Sequence, residues 1–195
     1  MLKTNQNSFC LFNEEIYAYT YVPFLLERRF MYSNINEFVR LKDVVLSFNT
    51  LNQTTSLYNG LIANFFFLRI FTNKTPFFFP VKIISTFKHK SYNFCCQLRL
   101  SKKQSSLFIL RDLSFASKNV SLNDFGLYKH RLMLNNITFF VKNFPYMRIV
   151  ETHPLFFKWN ECLDITINLS AYSTKSELKD LLILFKFNKD TLYLL

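Results

Sequence analysis

The most regular hydrophobic alternation in the chain lies near its C-terminal end. In Leu163–Leu169 (LDITINL), Leu163, Ile165, Ile167 and Leu169 fall on one face of a predicted strand, with polar residues between them. Ser170-Ala171-Tyr172-Ser173 then turns the chain into Thr174-x-x-Glu177. That pairing predicts a capping box, in which hydroxyl and carboxylate satisfy each other's orphan N–H groups. Leu178, Leu181, Leu182 and Phe185 follow at i, i+3, i+4 and i+7, the stripe of a helix with one buried face.

Similar patterns recur upstream. Asp43–Phe48 (DVVLSF) predicts a strand. Leu57, Leu61, Phe65, Leu68 and Phe71 predict a helix over Ser56–Phe71. Pro76 and Pro80 bracket Phe77-Phe78-Phe79 and stop that helix from continuing. Phe94–Leu100 predicts a strand, Ser105–Ala116 a helix, and Ile137–Val141 and Met147–Val150 two more strands. Pro23 suits the first turn of a short helix through Phe24–Phe30. Residues 1–22 are aromatic without a helical period and are expected to be irregular. Elements that mix without strict alternation predict an α+β fold. The expectation is one two-layer domain, a largely antiparallel sheet with helices on one side and a projecting basic loop over Val81–Asn93. It divides into an extension over 1–29, a body over 30–188 and a tail over 189–195. No linker or internal repeat is visible.

Composition narrows the class. A chain of 195 residues that is 50% hydrophobic, with 25 Phe and 10 Tyr, can bury a core and is no disordered basic tail. Only two glycines are present, against about 7% in ordinary domains, so Asn is expected to serve at turns such as Asn135-Asn136. Abundant Phe, Lys, Asn, Ile and Leu with scarce Gly and Ala resembles A+T-rich organellar coding. The opening MLKTNQNSFCLFNEE is not a secretory signal, and Glu14-Glu15 do not suit an import leader. Val44–Leu68 is uncharged, but its polar centre argues against a membrane span.

Charge changes the picture most. Between Asp43 and Asp112 there is no acidic residue, while Arg69, Lys74, Lys82, Lys88, Lys90, Arg99, Lys102, Lys103 and Arg111 all fall there. Unbalanced fixed charge on a folded body with a formal net charge of +11 calls for an external anion. A nucleic-acid backbone fits, because Lys and Arg on it release condensed counterions. Candidate chemistry is otherwise thin. Cys10, Cys95, Cys96 and Cys162 have no ligand spacing, and Cys95 and Cys96 should point to opposite faces of a strand as reduced thiols. His89, His130 and His153 lack carboxylate or cysteine partners in sequence, so no catalytic residue, metal or cofactor is expected. Trp159, beside Phe156-Phe157, reads as core or protein interface.

The element order, together with four short motifs, resembles the family of large-subunit ribosomal protein five. Leu163-Asp164-Ile165-Thr166-Ile167 is similar to that family's Asp-Ile-Thr-Ile strand, followed by Ala171, Ser173 and a last helix ending in Phe185-x-Phe187. Thr72-Asn73-Lys74-Thr75-Pro76 is similar to its Thr/Ser-Gly-Gln-Lys-Pro turn. Phe87-Lys88 with Cys96-Gln97-Leu98-Arg99-Leu100, and Phe144-Pro145, are the other two matches. The resemblance covers roughly Phe30 to Asn188 and implies a noncatalytic constituent of an organellar large ribosomal subunit. Mitochondrion is the expected compartment, with plastid as the alternative.

The resemblance also implies partners: large-subunit rRNA (5S rRNA or an RNA replacing it), peptidyl-site tRNA, and neighbouring proteins of the central protuberance and small-subunit head. It places Ser47, Lys74 and Arg99 against rRNA. Arg40, Thr75, Lys102, Lys103, Lys129 and Arg131 complete the candidate rRNA-binding set, the last four as basic clusters near predicted turns. Lys82, Lys88, His89 and Lys90 of the Val81–Asn93 loop are the candidates for tRNA contact, through sequence-blind phosphate binding. The competing reading is an organellar intron-encoded homing endonuclease or another basic DNA- or RNA-binding protein. An endonuclease needs paired acids for catalytic metal, and the basic half of this chain has none.

Overall fold

The computed structural model describes Glu14 and residues 16–49, 57–83, 91–119, 125–127, 135–142 and 162–187. A π-helical segment at Tyr17–Tyr21 runs into α1 (Val22–Phe30). The chain continues through β1 (Leu41–Asn49), α2 (Leu57–Thr72), β2 (Phe77–Ile83) and β3 (Ser91–Leu100). Next comes a helical run: α3 (Lys102–Leu107), a π-helical stretch (Phe108–Leu113) and α4 (Ser114–Asn119). Strands β4 (Phe125–Leu127), β5 (Asn136–Val141) and β6 (Leu163–Leu169) precede α5 (Lys175–Leu184). The six strands form one antiparallel sheet in the order β2-β3-β1-β6-β5-β4. The fold is α+β, as the pattern predicts.

Register explains why one face is core. Leu46 stands opposite Leu98 and Ile165, and Ile165 opposite Phe139. Phe48, Cys96, Leu163 and Val141 make the adjacent row, and Val44, Leu100, Ile167 and Ile137 the next. All twelve are buried. Helices cover this face. Phe48 meets Phe67 of α2 edge-to-face at 5.4 Å, and Phe71 meets Phe108 at 5.7 Å. Phe187, just past α5, stacks on Phe139 at 5.3 Å. The predicted capping box is formed, with Glu177 N–H donating to Thr174 Oγ1 at 3.3 Å and Thr174 N–H donating to Glu177 Oε2 at 2.6 Å. The α5 stripe Leu178, Leu181, Leu182 and Phe185 is buried throughout.

Several expectations are corrected. Residues 16–22 are helical rather than irregular, and Ala18, Val22 and Leu26 enter the core at spacings of four. The exposed aromatics Tyr21 and Phe24 mask that stripe of smaller side chains in the sequence. The core therefore extends N-terminal to residue 30. The Val81–Asn93 segment is not wholly a loop: Val81–Ile83 belong to β2 and Ser91–Asn93 to β3, with Lys82 paired to Tyr92. Lys102 and Lys103 lie in the first turn of α3, because Ser101 adopts extended N-cap geometry immediately after β3. Among the described residues the left-handed non-glycine positions are Met31, Asn73 and Lys186, and Asn136 opens β5. Of the predicted α2 stripe, Leu68 and Phe71 are buried and Phe65 is partly buried, and Asn64 and Phe67, which the stripe left out, are buried beside them. Met147–Val150, Trp159, His130, His153, Cys10 and the tail lie outside the described residues. No helix among the described residues is long and apolar enough to cross a membrane.

Candidate nucleic-acid interface

Alternation sends Asp43, Val45 and Ser47 of β1 to the face opposite the core. Their register partners complete that open face: Arg99 beside Val45, Gln97 beside Ser47, and Asn168 beside Asp43. Among the described residues no helix covers it. Ser47 and Arg99 therefore share one surface, two residues apart in register.

At one end of this face the sheet opens into a cleft of about 350 Å³, lined by Lys42, Asp43, Lys74, Arg99, Leu100, Ser101 and Lys102. Four separate segments deliver the four cations. Asn73 takes a left-handed conformation (φ 54°) that ends α2, and Lys74 N–H donates to Thr72 Oγ1 at 3.3 Å. That tight turn carries Lys74 back to the sheet end. Arg99 closes β3, and Lys102 opens α3. Lys42 arrives through a register shift between Leu41 and Asp43 against β6. The extra residue at a bulge is re-aimed out of the alternation, which leaves Lys42 exposed between buried Leu41 and Asp43.

The one carboxylate among the described lining residues is already committed. Asp43, 7% exposed at its side chain, accepts from Arg99 at 2.5 Å and from Asn168 Nδ2 at 2.6 Å. These bonds fix the root of the guanidinium while the Arg99 side chain stays 61% exposed. A guanidinium carries five N–H donors in a planar fork, so the exposed ones remain suited to a phosphate oxygen. Lys102 is steadied from the other side: its ammonium lies 5.1 Å from the Tyr19 ring, and Tyr19 hydroxyl donates to the Lys102 carbonyl. Lysines in the first helical turn oppose the helix dipole, so α3 gains nothing for itself from Lys102 and Lys103. Their placement adds positive potential to the cleft.

The sequence groups Lys74 and Arg99 only through the resemblance and leaves Lys102 apart; the structure has all three lining one cleft. Sequence reasoning misses Lys42, whose only signal is its position one residue before the predicted strand, and the clamping pair Asp43 and Asn168. Lys103 and Thr75 are exposed next to cleft residues. Arg40 is not in the cleft lining; its guanidinium lies 5.4 Å from the Phe38 ring and its backbone pairs with Ser170. Lys129 and Arg131, and Lys88, His89 and Lys90 of the loop, lie outside the described residues, and Lys82 is placed on β2. On the open face Cys95 is raised to about 11 by burial and then by the Asp164 charge; across the sheet, burial pushes Cys96 up to about 12. Both thiols stay protonated and unreactive near neutral pH. No protein-family model matches the sequence, and no curated protein matches it significantly.

Proposed function

We propose that this chain is a noncatalytic RNA-binding protein of an organellar, most simply mitochondrial, large ribosomal subunit. The supporting observation is the cleft: Lys42, Lys74, Arg99 and Lys102 converge on one end of the sheet face opposite the core, and Asp43, the one carboxylate among the described lining residues, is paired internally. An open, polar, cationic surface that is continuous with a sheet suits a polyanion running across it. Small-molecule sites are instead enclosed and mostly apolar. The LDITI strand and its capped helix, together with the Thr72–Pro76 turn, support assignment to the family of ribosomal protein five. In this reading the cleft holds rRNA phosphates without reading sequence, and the connection between β2 and β3 reaches peptidyl-site tRNA. The test is sedimentation of the tagged chain from lysed organelles. Co-migration with the large subunit, abolished by a high-salt wash, is expected; recovery only in the soluble fraction would overturn the assignment.

A further inference from the structure

The sheet edge next to the basic cleft carries an exposed aromatic pair. Phe77 stands opposite Gln97 and Phe79 opposite Cys95, so both rings project from the open face. They are 44% and 43% exposed and meet edge-to-face at 4.8 Å. Between them Phe78 projects to the other side and stacks on Phe65 of α2 at 5.5 Å, which anchors the strand from behind. Water-facing aromatics on an edge strand gain little from folding. Pro80, within the same strand, removes a backbone donor that a further strand would need. The edge is thus poorly built for pairing with another strand.

The neighbours indicate what covers the rings. Phe77, Gln97 and Ser47 form one row across β2, β3 and β1, and Arg99 lies two residues along β3, about 7 Å away at strand spacing. Lys74 precedes Phe77 by three residues and lines the cleft with Arg99. A ring to stack on, an amide and hydroxyl to meet a base edge, and a cation beyond them match the parts of an unpaired nucleotide in order. A protein partner would match the rings but would leave Lys74 and the exposed part of the Arg99 fork beside them unused.

We propose that Phe77 and Phe79 are a stacking platform for unpaired bases of the RNA whose phosphates occupy the cleft. This rests on the RNA-binding reading above and adds that the bound segment is single-stranded there, since only unstacked bases can lie on side chains. Stacking is sequence-tolerant, because every base has a π-face.

The test measures binding of the purified full-length chain to a labelled oligouridine and to an RNA duplex of equal length. Phe77→Ala/Phe79→Ala should weaken oligouridine binding by roughly 5- to 150-fold for each base that no longer stacks, leaving duplex binding and the salt slope unchanged. Phe77→Tyr/Phe79→Tyr should bind like the parent, whereas Phe77→Leu/Phe79→Leu should resemble the Ala protein despite keeping apolar bulk. Because both rings are exposed, the variants should fold; circular dichroism checks this. Unchanged oligouridine binding by the Ala protein, with binding still abolished by Lys74→Ala, would overturn the platform and leave the RNA reading standing. Retained binding by the Leu protein, or loss of subunit incorporation with normal oligouridine affinity, would overturn it in favour of a protein contact. Failure of the parent chain to bind either RNA would overturn both readings.

Discussion

The two faces of β1 show opposite uses of the same nine residues. Val44, Leu46 and Phe48 meet apolar partners on both neighbouring strands and are buried beneath helices. Asp43 and Ser47 meet Asn168, Gln97 and Asp164, with exposed Arg99 beyond, on the opposite face. One face is specified by shape and volume, the other by charge and hydrogen bonding. The lesson is that stability and binding can be perturbed separately on one strand.

The sharpest way to break that comparison is a truncation on each side. Leu46→Ala should cost about 2–5 kcal/mol in a urea titration, since it leaves a cavity at the sheet centre. Ser47→Ala, one residue away, should cost no more than about 0.5 kcal/mol. Equal losses would mean that the open face is covered and structural after all. A gain should be available within the core itself. The Asn64 amide of α2 is fully buried with neither its nitrogen nor its oxygen hydrogen-bonded. Asn64→Leu should raise stability by about 1–3 kcal/mol, the cost of an unmet buried polar group. A lower denaturation midpoint would contradict the packing of that helix.

A stability effect confined to alkaline pH concerns the cysteines that straddle the sheet. Both folded thiols sit above the ordinary value of 9.0, Cys95 at about 11 and Cys96 at about 12. Above pH 9.0 the unfolded chain therefore releases protons that the folded chain keeps, and stability falls with rising pH. Their contribution is intact below that point and is lost as pH rises through about 11 to about 12. Cys95→Ala/Cys96→Ala should flatten the decline across this window; parallel curves for parent and variant would remove the thiols from the account.

Legibility in the sequence follows how local each decision is. The LDITINL strand and the Thr174–Phe185 helix are readable because alternation, capping and stripe lie within a few residues of one another. The helix containing Ala18, Val22 and Leu26 is hidden, since the π-helical turn and the large aromatics blur the ordinary period. The extra length of β2 and β3 comes from mutual pairing, which neither segment reveals alone. For the site, residue types are legible and geometry is not. Lys74, Arg99 and Lys102 stand out as cations, but the chain turn at Asn73 and the order of the strands bring them to one cleft. Lys42 depends on a bulge against β6, more than a hundred residues away, and no local pattern announces it.

The central claim, that the cleft holds RNA phosphates, is tested most directly by the salt dependence of RNA binding. Parent chain and a protein combining Lys42→Ala, Lys74→Ala, Arg99→Gln and Lys102→Ala would be titrated with the same RNA over a range of salt. Arg99→Gln retains an N–H donor for Asp43, so the fold should persist. The plot of log K against log salt should become shallower by about 0.7–0.9 for each phosphate that the variant no longer neutralises, with weaker binding at low salt. An unchanged slope and affinity in a folded variant would contradict the account and place the RNA-binding surface elsewhere on the chain.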